Sequence, residues 1–299
     1  MGFESCHPAV NFIFFSAALY GSISFDHPVF LAVAYCCAFA YSVRRGGGKS
    51  ALFDLLLLPL ALAFALYYAS YHHFGVTVWK QNFIGNNLTV ESFVYGLTVS
   101  LRAAVVCMWC GSLFRVVSSD KVVYLFGRIS PRLSLLLTIL LRLVPRMTRE
   151  AGRINLAQKG IGRGADQGTL FRRLRNCLRI FSMLITWLIQ ALALEADSMK
   201  SRGSRLRGRT AFSIYRFDNR DRAFVIAMFC GMILTGMGKI LGATEMFYNP
   251  RIIWKPLNGM GTAACLGYGF FCLLPMGMEL WTQWRFASRR RRVLSRNTY

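Results

Sequence analysis

Residues 51–71 read ALFDLLLLPLALAFALYYASY, an apolar and aromatic run in which Asp54 is the only charge. Its length matches the roughly 20 residues a helix needs to cross a hydrocarbon core. Backbone amides in lipid must find partners within their own segment, so the run reads as a membrane helix. Working outward, runs of the same character lie at about 9–24, 28–43, 91–114, 222–243 and 260–284. Together they predict an all-α membrane protein with about six transmembrane helices. Composition agrees: charged residues are 16% of the 299, against about 25% in soluble domains, and mean hydropathy is +0.40. A soluble globular domain is excluded on that ground. The formal net charge is nevertheless +23, so greasy and basic segments must be separated along the chain.

Basic residues place the loops. Arg44, Arg45 and Lys49 follow the run at 28–43, whereas the segment 71–90 holds Lys80 alone and the loop 243–259 only Arg251 and Lys255. The positive-inside rule then makes both termini cytoplasmic, with Arg289, Arg290, Arg291 and Arg292 in the last basic stretch. The expected organisation is membrane helices 1–4 over 1–115, cytoplasmic helices over 116–221, membrane helices 5–6 over 222–284, and a basic cytoplasmic tail over 285–299.

The insert holds most of the excess positive charge. Leu133 to Val144 is too short to span, and Cys177 to Ala196, although long enough, carries Arg179, Gln190 and Glu195. If it crossed, Lys200, Arg202, Arg205, Arg207 and Arg209 would face the wrong side, so both stretches are read as amphipathic helices along the membrane. Arg142, Arg146, Arg149 and Arg153 share one face by their four, three, four spacing, with Leu140, Leu143, Val144 and Met147 opposite. A second helix is predicted from near Thr169 to near Gly203. Its stripe of Leu174, Leu178, Phe181, Ile185, Leu188 and Leu192 is expected to touch a membrane partner or the crossed helix.

Chemistry-bearing motifs are few. Gly46-Gly47-Gly48-Lys49-Ser50 resembles the end of a phosphate loop, but Val43 stands where the pattern requires glycine. Nine cysteines, mostly inside apolar runs, suit no disulfide framework, and the pair Cys107 and Cys110 lacks a second pair. His72 and His73 read as an interfacial belt with Tyr67, Tyr68 and Tyr71, and His7 and His27 have no ligand partner at helical spacing. Arg102 is the costliest intramembrane charge and is expected to be paired or to snorkel. No constellation for catalysis is visible, so no catalytic site, cofactor or metal is expected in this chain.

One feature repeats. One amphipathic helix closes with Ala157-Gln158-Lys159-Gly160-Ile161-Gly162-Arg163-Gly164, the next with Ser198-Met199-Lys200-Ser201-Arg202-Gly203. A glycine past a helix suits a left-handed cap, and a late arginine suits the negative end of the dipole. Capping explains one small-Arg-Gly ending; two of them also form a pair of cationic tips. The three glycines Gly160, Gly162 and Gly164 predict the looser end, so Arg202 is expected to matter more than Arg163.

With these endings, His7-Pro8, Leu141-Arg142-Leu143-Val144-Pro145, and Arg209-Thr210 followed by Asp218 and Asp221, the sequence resembles the transmembrane T component of energy-coupling factor (ECF) transporters, the family that includes the cobalt transporter permease. The resemblance covers most of the chain. It implies that Gly162, Arg163, Gly164 and Ser201, Arg202, Gly203 end two coupling helices and dock into two ATP-binding-cassette ATPase subunits, supported by Ala157, Gln158, Arg142 and Pro145. Gly162 and Ser201 stand where the family's motif has alanine. It further implies a small membrane substrate-binding (S) subunit as partner, lipid rather than nucleic acid as surroundings, no enzymatic activity in this chain, and a place in a bacterial or archaeal plasma membrane. A secondary transporter and a membrane-anchored nucleic-acid binder are the alternatives from other classes.

Overall fold

The computed structural model describes residues 2–72, 74–81, 87–203, 215–254, 256 and 258–296. His73, Arg205, Arg207, Arg209, Thr210 and Lys255 lie outside the described residues. The protein is an all-α membrane protein: the described residues form eight α-helices and one two-stranded hairpin. In order these are α1 (Pro8–Ser24), α2 (Pro28–Tyr71), β1 (Val78–Gln81), β2 (Asn87–Thr89), α3 (Val90–Val116), α4 (Ser119–Ile129), α5 (Pro131–Gly160), α6 (Leu170–Ser201), α7 (Asn219–Ile240) and α8 (Gly259–Arg296). They fall into two compact units, Met1–Ser118 with Tyr215–Tyr299, and Ser119–Ile214.

In the first unit, the runs at 28–43 and 51–71 belong to one 44-residue helical segment, α2, interrupted at Gly47 with φ 64° and ψ −156°. That region is open to glycine and closed to other residues. The chain folds back there, because the Tyr35 hydroxyl donates to the Asp54 carbonyl at 3.1 Å. Nineteen residues of straight helix would hold them about 28 Å apart. The glycine-rich segment that resembled a phosphate loop is thus the turn of a helical hairpin.

The two His-Pro pairs have one local explanation. His7 and His27 are N-caps whose Nδ1 atoms accept from the amides of Ala9 and Val29, both at 3.3 Å, and Pro8 and Pro28 open the helices where no amide is needed. Asp218 and Asp221 form a capping box at the start of α7, and Asp221 also accepts from the His7 amide at 3.4 Å. The core is aromatic: Phe3, Phe14, Trp109, Phe224 and Phe271 are buried together, with Phe14 and Phe271 centroids 5.0 Å apart. Helices α7 and α8 approach closely through small residues, and a Cβ on Gly238 would lie 2.3 Å from that of Ala264.

Two arginines in this unit pair with carboxylates. Arg102 on α3 bonds the Asp26 carboxylate and, at 3.2 Å, the Phe25 carbonyl, both in the turn before α2. Tyr248 donates to the Asp26 carbonyl at 2.8 Å. At the opposite end of α2's first arm, Arg45 bridges Glu4 at 2.5 Å and Glu279 at 3.0 Å. The segment expected as a tail from 285 continues α8 to Arg296.

In the second unit, α4 packs on α5, with the Ser134 hydroxyl donating to the Val123 carbonyl at 3.3 Å. Sequence patterning gave no sign of α4. Helices α5 and α6 pack through Asn176, Ile180, Leu184 and Ala191 on α6, all buried at four and seven spacing. The stripe expected to touch a membrane partner or the crossed helix lies beside this one: Leu174, Leu178, Phe181, Ile185 and Leu192 are exposed by 38–62% and so are open to a partner. Helix α6 is apolar on nearly every face from Ile180 to Leu194, so periodicity alone does not tell which stripe meets α5.

Five helices are long and apolar enough to cross a membrane: Pro28–Tyr71, Val90–Val116, Leu170–Ser201, Asn219–Ile240 and Gly259–Ser288. Helix α1, at 17 residues, is shorter. Helix α6 qualifies by length and hydropathy, the measure the charge argument set aside for it.

Candidate docking site at two capped helix ends

The end of α5 is a Schellman turn. The Gly162 amide donates to the Lys159 carbonyl at 3.0 Å and the Arg163 amide to the Gln158 carbonyl at 2.9 Å, with Gly162 left-handed at φ 75°. Helix α6 ends on Arg202 as its C-cap, with Gly203 left-handed at φ 75° and its amide donating to Lys200 at 3.0 Å. The two endings are therefore offset. Aligned by geometry, Gly162 matches Gly203, and Ile161 matches Arg202. The repeat of small-Arg-Gly in the letters sets Arg163 one residue beyond its turn and Arg202 one residue before its own.

Gly164 is not a cap. It is buried; its amide donates to Gln167 Oε1 at 3.0 Å, and its carbonyl accepts from Asn176 Nδ2 at 3.0 Å. A Cβ there would lie 2.3 Å from Lys159 Cγ. The next amide, Ala165, donates to Asn155 Oδ1 at 3.0 Å, and Lys159 pairs with Asp166 at 2.7 Å. That bond to the Lys159 ammonium holds the exposed Asp166 carboxyl below its ordinary range. The first tip is therefore held by side chains from both helices.

Arg163 and Arg202 are both exposed, and neither guanidinium makes a hydrogen bond or ion pair among the described residues. Ser201 spends its hydroxyl on the Ser198 carbonyl at 2.8 Å. Gln158 reaches Met183 Sδ at 3.7 Å, joining α5 to α6 next to the first tip, while Ala157 is exposed. The arginine face divides: Arg146 lies over the Trp187 ring at 5.2 Å, Arg149 donates to the Pro145 carbonyl at 3.2 Å, Arg153 pairs with Glu150 at 2.8 Å, and Arg142 is exposed. Pro145 sits inside α5, which runs through it.

Sequence reasoning missed Asn155, Asn176, Gln167 and the Lys159–Asp166 pair. A signal for one of them was present, since Asn176 is a polar residue on the packing stripe that continues through Ile180 and Leu184. Among the described residues no group of three or more His, Cys, Asp or Glu is placed to hold a metal ion, and all nine cysteines are free thiols. The chain is thus a multi-pass membrane protein with a helical unit that presents two glycine-capped, arginine-bearing ends. No family model matches it, and no curated protein matches it.

Proposed function

We propose that this chain is the energy-coupling T subunit of an ECF-type importer, passing the motion of two ATP-binding-cassette ATPase subunits to a small membrane S subunit for uptake of a vitamin or a transition-metal ion. The observation that carries the reading is the pair of exposed, internally unpartnered arginines, Arg163 and Arg202, at the ends of two long helices that pack on each other. A guanidinium is always charged and presents a planar fork to carboxylates and carbonyls, which suits a tip that must hold a moving partner. Long helices transmit displacement because their interiors resist compression. The resemblance in the Arg-Gly endings and in the stretch 141–145 supports the same reading.

Capping and docking make different demands on Arg202. A lysine serves the helix dipole as well as an arginine does, so Arg202→Lys is silent if the residue only caps. If it docks, losing the fork weakens ATPase retention by about 1.5–3 kcal/mol, the range for a hydrogen bond to a charged group. The test is copurification of the ATPase pair with Arg163→Ala, Arg202→Ala and the double variant, alongside uptake of the S subunit's substrate. The double variant should insert normally yet lose both ATPases. Full retention and uptake by it would refute the proposal. Because the first tip is pinned by Asn155, Asn176 and Gln167, Arg163→Ala should cost at least as much as Arg202→Ala.

A further inference from the structure

An apolar groove runs along the first unit between the start of α7 and the middle of α8, and its mouth is basic. Its floor is formed by Ala223, Phe224, Leu273, Gly277 and Met278. At one end Arg220 and Arg285 line the same recess with Trp281, and the Arg285 guanidinium lies over the Trp281 ring at 4.7 Å. Neither arginine has a carboxylate partner among the described residues. The nearest acids in sequence are committed elsewhere: Asp218 and Asp221 to the α7 capping box, Glu279 to Arg45. A Cβ on Gly277 would meet nothing within 4 Å, so the floor has room.

We infer that this groove seats an acyl chain of an anionic phospholipid, with the headgroup phosphate held between Arg220 and Arg285. Three properties select that occupant. The floor offers only hydrocarbon contacts, which a free phosphate cannot use. The mouth holds two guanidinia in want of an anion, and an apolar partner helix supplies none. A tryptophan with a stacked arginine at the end of a membrane helix sits at headgroup depth, where basic recesses between helices select anionic lipids. The guanidinium fork matches two phosphate oxygens at once. The inference is independent of the proposed coupling function.

The test is native mass spectrometry of the full chain in mild detergent at high ionic strength, which strips lipid held only by diffuse surface charge. The probes are phosphatidylglycerol and phosphatidylcholine with the same acyl chains. Wild type should retain phosphatidylglycerol in preference. Arg220→Gln with Arg285→Gln should lower that retention about 10- to 100-fold, as expected for charge-assisted bonds, and leave phosphatidylcholine unchanged. The double lysine variant keeps the charge and should retain most of the preference. Gly277→Leu fills the floor while leaving both arginines, and should lower retention of phosphatidylglycerol on a chain that still elutes as a single species. Equal retention of the two lipids by wild type, or no loss in the glutamine or Gly277→Leu variants, would overturn the assignment. So would displacement of the lipid by millimolar inorganic phosphate, which marks a simple anion site, or retention of a protein segment there in place of lipid.

Discussion

Replacing Asn176 by alanine should loosen the first helix end without touching its arginine. Asn176 is buried on α6 and donates through Nδ2 to the Gly164 carbonyl at 3.0 Å. Gly164 is itself buried, and its carbonyl also accepts from the Gln167 amide at 3.2 Å, so the substitution removes one of two donors and leaves the acceptor satisfied. Loss of one such hydrogen bond costs about 0.5–1.5 kcal/mol. Converted at 1.4 kcal/mol per decade, the loop should open about 2- to 12-fold more often. Hydrogen exchange with peptide-level readout measures this directly. Protection over 161–169 should fall by that factor, while the middle of α5 and all of α7 keep theirs. Asn155→Ala attacks the same turn from α5, where Asn155 accepts from the Ala165 amide at 3.0 Å. The two changes share one loop, so the double variant should lose less than the sum. Unchanged protection over 161–169 would refute the pinned tip, and so would loss spread evenly across both helices.

Other consequences are open to test. Gly238→Val places carbon where the Ala264 Cβ already lies, and should destabilise α7 against α8 by about 1–3 kcal/mol or more, whereas Gly236→Val, in open space, should run as wild type in fluorescence-detected size exclusion. Arg45→Ala leaves the buried Glu279 without its cation and should lower thermal stability by about 3–5 kcal/mol, with much of that recovered when Glu279→Gln is added. The Asp166 carboxyl is held below its ordinary range by Lys159, so its contribution is complete above the unfolded pKa of about 3.9 and is lost as pH falls through the lower folded value. Protection of 161–169 should therefore be flat from about pH 7 to 5 and drop only in acid, and Asp166→Asn should remove that dependence.

The membrane helices were readable because lipid permits few solutions: a long apolar run must satisfy its amides internally, and each of the six runs lies on a helix. Helix ends were readable where the chemistry is local, as at Thr169 before α6 and Gly160 closing α5. The features that escaped depend on contacts between distant residues. The choice of packing stripe on α6 is decided by α5 and not by spacing, since Leu178 and Ile180 are equally apolar. The pairing of Arg102 with Asp26 joins α3 to a turn far away in sequence, so its location was legible but its partner was not. At the tips, letters and geometry diverge: identical Arg-Gly pairs sit at different positions relative to their left-handed glycines, which only the backbone reveals.

The fold-back at Gly47 fixes the parity of the chain. Residues 28–71 go out and return, so the next segment emerges on the face from which α2 began. The side chains agree: Asp26, before the first arm, shares a recess with Tyr68 and Phe74 at the end of the second, and with Tyr95 and Tyr248. One left-handed residue thus sets the sidedness of the β1–β2 hairpin and of each later loop in that unit. A substitution that straightened this turn would leave local helices intact and exchange the two faces of every later element in the unit, an error of counting that no downstream contact can repair.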